Sequence, residues 1–334
     1  MQVVFSKCPV GAATEIIMRN GTLIDMIDRS GGEFTLLQSM APELQKAHFT
    51  QEAPLHFRDG GNMPPIWAQS IADRSVLLGA TRQYERVGLF VRADSPLSEV
   101  PQLKGCRIAI PIREQAVFDF RRYTAIRGVE TLLGFYGLTS GDVEYIPVKC
   151  TDAPPRRISG FTVQTKDTDF LTQDVLAVLD GEADAVFCNS IKAVRHADAG
   201  LMKNLIPDAE QIPRAYVNNN SCLLITCTRA FAYEHPEIVT SYLKELFKAA
   251  DWAAENKETF LEIVSHGVYD ANAEECSRSF SEDVHLLRKP ALTDELLALA
   301  DSQKNFLLRQ GALEKDFDIL KWADPAFLEA AKNV

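Results

Sequence analysis

A cysteine, a histidine and an arginine near the N-terminus are the residues of this chain best suited to chemistry. Cys8 closes the apolar run Gln2-Val3-Val4-Phe5-Ser6-Lys7 and stands just before Pro9. A helical pattern follows over residues 12–20 and stops at Asn20-Gly21. A cysteine between a strand end and a helix N-terminus is expected to face free backbone N–H groups and the positive end of a dipole, which lowers a thiol pKa and favours the thiolate. A second group follows: His48-Phe49-Thr50, then Arg58-Asp59-Gly60-Gly61 and Pro64-Pro65. It offers an imidazole, a fixed cation and flexible backbone donors, a set that suits a bound oxyanion. A thiol beside such an anion can act as an acid or as a nucleophile.

Each member alone has an ordinary explanation. A single cysteine is usually a half-buried structural thiol, a loop histidine caps backbone, an arginine sits on the surface, and Gly60-Gly61 is a turn. Only the combination points to a site. His56, close to Arg58, ranks below His48, and His196, His235, His266 and His285 lack any partner pattern. Asn218-Asn219-Asn220 reads as a polar turn.

These residues need a scaffold that holds distant segments together. Strand patterns occur at residues 3–6, 34–38, 76–80, 88–92, 107–110, 143–148, 185–188 and 223–226. Helical patterns at 12–20, 65–72, 118–136, 172–179 and 191–199 lie between most of them, and the chain reads as helical from Thr228 onward. Alternation of this kind predicts α/β architecture: doubly wound sheets flanked by helices, with a helical C-terminal region. Residues 151–168 read as a long surface loop or flap.

With 334 residues the chain is long enough for two lobes, each with its own core. Hydrophobic content of 46% and charged content of 24% fit a globular protein. A net charge of -11 argues against a nucleic-acid or anionic-membrane partner, although one local arginine can still dominate an enclosed anion site. No apolar run is long enough to span a bilayer, and no leader pattern precedes the first strand, so a cytoplasmic location is expected, or a periplasmic one if a signal was removed. The seven cysteines are scattered singly, with no metal-ligand spacing. Cys188, Cys222 and Cys227 lie in apolar runs and read as small buried hydrophobes.

The phrase Phe90-Val91-Arg92, Asp94-Ser95-Pro96, then Leu103-Lys104-Gly105-Cys106-Arg107-Ile108-Ala109, resembles the interlobe crossing of the type II periplasmic-binding-protein fold, and Gly181-Glu182-Ala183-Asp184-Ala185 resembles a strand entry of the same fold. That resemblance implies lobe one at residues 1–92 plus 222–334, and lobe two, a closing lobe that contacts the substrate tail, at 93–221. Within that fold the chain is similar to the aromatic sulfinate desulfinases. The similarity rests on Ser6-Lys7-Cys8-Pro9-Val10, on His48-Phe49-Thr50 with Pro54, Arg58, Gly60-Gly61 and Pro64-Pro65, and on the late Trp322-Ala323, Pro325 and Phe327-Leu328. It implies a catalytic role for Cys8 and sulfinate binding by His48, Arg58 and the Gly61 N–H, with Gly60 and Ser6 also expected among the substrate-binding residues. It further implies hydrolysis of a carbon–sulfur bond with release of sulfite, an organic anion as the small-molecule partner, and no metal or organic cofactor.

The chain departs from that family in having no Trp between Trp67 and Trp252, where the biaryl enzyme has a second-lobe tryptophan packing on its substrate, so a smaller or more polar sulfinate is expected here. Two other uses of the fold compete. A solute-binding protein for sulfonate, nitrate or taurine gains little from a thiol at its site. The pyridoxal-phosphate-dependent thiamine-pyrimidine branch carries a cysteine-rich motif absent here.

Overall fold

The computed structural model describes residues 1–151, 171–208, 211–269 and 271–333. The segment expected to form a flap lies almost wholly outside them. By contacts the chain divides into two units: Met1–Tyr84 with Val217–Val334, and Glu85–Tyr216. The strand Val87–Arg92, whose residues the sequence reading assigned to lobe one, belongs to the sheet of the second unit.

The first unit is built on a five-stranded sheet in the order β2-β1-β3-β10-β4. Its strands are β1 (Gln2–Ser6), β2 (Glu33–Leu36), β3 (His56–Gly61), β4 (Ser75–Arg82) and β10 (Cys222–Thr228). β1 pairs in parallel with β2 and β3, while β10 runs antiparallel to both β3 and β4. Every residue of β3, β4 and β10 is buried, as a sheet covered by helices on both faces requires.

Five helices interleave with the early strands: α1 (Thr14–Arg19), α2 (Thr22–Arg29), α3 (Pro42–Gln45), α4 (Ala47–Thr50) and α5 (Met63–Ile71). α2 was not expected. It follows the break at Asn20-Gly21, where Gly21 takes φ +81° and lets the chain turn straight into a new helix. The long helix Pro236–Glu255 packs an apolar face on the other side of the sheet, where Tyr242 stacks 4.4 Å from the Phe57 ring. Further helices to residue 332 complete the helical C-terminal region.

The second unit has its own five-stranded sheet in the order β7-β6-β8-β5-β9. These strands are β5 (Val87–Arg92), β6 (Arg107–Ile112), β7 (Glu144–Lys149), β8 (Ala185–Asn189) and β9 (Met202–Asn204). β6 is parallel to β7 and β8, and β5 is antiparallel to β8 and β9. Its core gathers Phe90, Ala109, Val175, Val186, Cys188 and Ala193. Both units are mixed α/β, as the alternation of patterns predicted. No described helix is long and apolar enough to cross a membrane.

Candidate active site

The site is built on one face of β1 and β3. Because side chains alternate along a strand, Val4 and Ser6 of β1 share a face with His56 and Arg58 of β3, in the register Val4↔His56 and Ser6↔Arg58. Cys8 continues that face just beyond the end of β1. Its half-buried sulfur packs beside Val10, Ala12 and Leu223 and lies over the backbone of Gly60. A Cβ at Gly60 would collide with the Cys8 sulfur and its Cβ, so the close approach requires glycine there.

His48 reaches the same face from α4. That short helix is fixed by Ala47, which packs against Val4 and Leu37, and by Gln51 just after it. Gln51 is buried, takes the left-handed conformation at φ 53° and donates from Nε2 to Thr226 Oγ1 at 3.1 Å. His48 Nε2 then stands 3.8 Å from Cys8 Sγ, within hydrogen-bonding reach of a thiol.

Arg58 lies deep in the site, only 2% exposed. Its Nη1 donates to the Gly61 carbonyl at 2.8 Å, while Nε has no partner among the described residues. A buried guanidinium with spare N–H donors is a poor structural element and a good anion receptor. Ser6 is also buried. Its hydroxyl is committed to His56 Nε2 at 2.6 Å, which makes it a support for the site wall.

Electrostatics leave Arg58 as the site's positive charge. Burial first, then the Arg58 charge, then His56 hold His48 well below the usual imidazole range. Burial and Arg58 push His56 down to about 3. Both rings are therefore neutral near pH 7. Cys8 moves the other way: burial raises its pKa, the Asp59 charge adds to the rise, and Arg58 with the Gly61 backbone N–H opposes it. The expected depression of the thiol pKa is thus not found. α1 starts only at Thr14 and has a single six-residue run, so its dipole is remote from Cys8 and desolvation prevails. Cys8 rests as a thiol.

Residues that the sequence pattern did not single out support this face from behind. Asp59, on the reverse side of β3, accepts 2.6 Å from Thr14 Oγ1, which is in turn 2.8 Å from the Tyr242 hydroxyl. Arg288 is fully buried and donates to the Gly11 carbonyl at 3.0 Å and the Arg82 carbonyl at 2.6 Å, fastening the loop that follows Cys8 to the end of β4. Asn219 receives the Met63 N–H at 3.0 Å through Oδ1 and lies against Gly61, so the asparagine run is a turn that caps α5. His56 was ranked a decoy; the structure places it at the base of the site, bonded to Ser6. The signal for these residues was weak, because Asp59, Thr14 and Arg288 are far apart in sequence and carry no motif.

Among the described residues no cluster of three or more His, Cys, Asp or Glu side chains is arranged to hold a metal ion. What the site offers is a fixed cation, a neutral thiol and a neutral imidazole around one small space.

No family model matches the chain. It is homologous to the 2'-hydroxybiphenyl-2-sulfinate desulfinase of Rhodococcus erythropolis, with 25% identity over 355 residues that cover 98% of this chain and 93% of that protein. The same enzyme of Rhodococcus qingshengii matches to the same extent, at 25% identity. Among solved structures, a cysteine-to-serine variant of the desulfurisation enzyme DszB in complex with biphenyl-2-sulfinic acid superposes with a TM-score of 0.72 at 20% identity, covering 99% of both chains. The periplasmic aliphatic sulphonate binding protein SsuA from Escherichia coli shares the fold, with a TM-score of 0.62 at 15% identity over 96% of this chain and 90% of that one.

Proposed function

We propose that this chain is a desulfinase, hydrolysing the carbon–sulfur bond of an aromatic sulfinate to release sulfite. The observation that carries the reading is the meeting of Cys8, His48 and the under-bonded Arg58 on one face of β1 and β3, in a chain homologous to a desulfinase. A sulfinate carries one negative charge over two oxygens. Arg58 supplies the charge and the forked donors for it, and the Gly61 N–H adds a further donor.

The protonated state of Cys8 supports a role as proton donor. Its S–H delivers a proton to the ring carbon that bears sulfur. The carbon–sulfur bond then breaks, its electron pair restores the aromatic ring, and sulfur leaves as sulfur dioxide. Water adds to give hydrogen sulfite, and the proton released returns to the Cys8 thiolate through His48. The net change is sulfinate plus water to arene plus hydrogen sulfite, with no electron gained or lost. Arg58 steadies the negative charge as it passes from the sulfinate to the thiolate.

Positioned proton transfer contributes about 100-fold to 10,000-fold in rate. Cys8→Ser is therefore expected to retain sulfonate binding while sulfite release falls at least about 100-fold. The measurement is sulfite release from a panel of aryl and alkyl sulfinates, with binding of the matching sulfonates in parallel. Turnover of Cys8→Ser within a few-fold of the parent would remove the thiol from the reaction. Binding without sulfite release from any sulfinate would leave a solute-binding protein.

A further inference from the structure

Residues 7–13 carry Cys8 from the end of β1 to the start of α1 and belong to neither element. Their own bonds do little to fix them. The Val10 N–H meets the Cys8 carbonyl at 2.9 Å, and Ala13, the N-cap of α1, makes no side-chain capping bond. The place of the thiol over Gly60 therefore depends on what grips this loop from outside. Thr14 Oγ1 ties its far end to Asp59 at 2.6 Å. In its middle, Gly11 takes φ +68°, and the Gly11 carbonyl accepts from Arg288 Nη1 at 3.0 Å.

Arg288 is distant in sequence and fully buried. The same Nη1 donates to Gln83 Oε1 at 3.1 Å, and Nη2 donates to the Arg82 carbonyl at 2.6 Å. One rigid guanidinium thus joins the Cys8 loop to the end of β4. The segment that carries it is anchored without that help. Ala291 exchanges backbone bonds with Ala80 at 2.8 and 2.9 Å, and Pro290 lies against Gly79. Arg288 Nε has no partner among the described residues, and burial pulls the group down to about 10. A buried, partly bonded charge is a weak source of stability, and an apolar side chain fills such a place at less cost. What an apolar side chain cannot supply is the geometry: donors fixed in one plane that hold three acceptors at once.

We propose that Arg288 is a positioning residue of the desulfination, holding residues 9–11 so that the Cys8 sulfur stays over Gly60. The proposal rests on the desulfinase reading. The hydrogen-bond partners of Arg288 are Gly11, Gln83 and Arg82, none of them a group proposed to hold the anion, so it acts through the loop.

The test compares Arg288→Lys with the parent protein. Lysine keeps the charge that acts on Asp59 and Asp283 but cannot reach three diverging acceptors. The readouts are calorimetric binding of benzenesulfonate, kcat and KM for an aryl sulfinate that the parent turns over, and iodoacetamide alkylation against pH, followed on the Cys8 peptide by mass spectrometry. Sulfonate affinity should stay within about 3-fold while kcat falls at least about 10-fold, since a displacement of about 1 Å can cost about 100-fold in rate. Released from its packing on Val10, Ala12 and Leu223, Cys8 should alkylate faster, and its midpoint should move down toward 9.0, because burial is the largest cause of its rise. His48, Arg58 and Asp59 stay in place, so that shift isolates burial. An arginine that merely stabilises the fold would lower the melting temperature and leave kcat and the alkylation midpoint unchanged, and that result overturns the proposal. Loss of sulfonate affinity in step with kcat overturns it as well. Should Arg288→Lys fail to fold, Gln83→Met removes one acceptor of Nη1; Gln83 Nε2 has no partner among the described residues, so no second side-chain bond is lost. It should move the same readouts in the same direction, with kcat down at least about 3-fold, the worth of one hydrogen bond. Parent behaviour in Gln83→Met overturns the proposal. A parent that releases no sulfite from any sulfinate overturns the desulfinase reading instead, and the alkylation midpoint then decides by itself whether Arg288 holds the thiol in place.

Discussion

At the scale of single residues, the site works by keeping charges few. Arg58 holds the positive charge, and its field is one reason that His48 and His56 remain neutral. Asp59 adds to the burial that keeps Cys8 protonated. A reaction that needs a thiol proton and a neutral imidazole then has a defined pH window. Cys8 is raised above 9.0, so the donor proton is present until the pH climbs past that elevated value. His48 lies well below 6.5, so its ring gains a charge only far on the acid side. The expected kcat profile shows no inflection near the ordinary histidine value, and its basic limb lies above the ordinary thiol value of 9.0. Asp59→Asn removes a charge that raises the thiol, so its basic limb should move to lower pH while the acid limb stays in place. An inflection of kcat near pH 6.5 would instead mean that an ordinary, solvated histidine controls the reaction.

At the scale of elements, the central observation is that the site is a strand. His56-Phe57-Arg58-Asp59-Gly60-Gly61 was given no strand pattern and its glycines were read as a turn, yet it is β3, buried at every position and paired with β1 and β10. The misreading has a physical cause. A strand is recognised by apolar alternation, and here one face is given to Arg58 and His56 and the other to Asp59, with two glycines at the end. Local propensity is set aside at the proposed site, where such conflicts are expected. β1, β4, β8 and β10 were legible because each carries a short unbroken apolar run. Cys8, His48, Arg58 and Gly61 could be nominated in advance because they fall in the motif shared with the desulfinases, whereas Thr14, Asp59 and Arg288 depend on long-range packing that no motif encodes. The state of Cys8 was misread for a related reason, since burial cannot be seen in sequence. Rigid β3 also gives a sharp prediction. Gly60→Ala places a methyl group on the Cys8 sulfur. It should cost about 1–3 kcal/mol in urea unfolding, the usual penalty of overpacking, and should abolish sulfite release by displacing the thiol. Wild-type turnover in Gly60→Ala would show that Cys8 need not lie against the strand.

At the scale of the whole molecule, the chain leaves the first unit after Tyr84 and re-enters it at Val217. What returns is not peripheral. β10 inserts between β3 and β4 and supplies partners for both, pairing Thr226 with Arg58 and with Leu77. The Pro236–Glu255 helix then covers the face of Phe57, and Arg288 fastens the loop after Cys8. Every residue proposed to bind the sulfinate lies before Tyr84, yet β3, which carries Arg58, is paired on one side only by the C-terminal segment. Residues 1–84 alone would leave β3 and β4 with unpaired edges and the Phe57 face open to water, so this fragment is expected to be unfolded or aggregated. Supplying residues 217–334 as a second chain restores the missing strand and helix. Co-expression of the two fragments should therefore yield a folded complex that binds an aryl sulfonate, measured by circular dichroism and calorimetry. A folded, sulfonate-binding fragment 1–84 would show that the anion site is independent of β10.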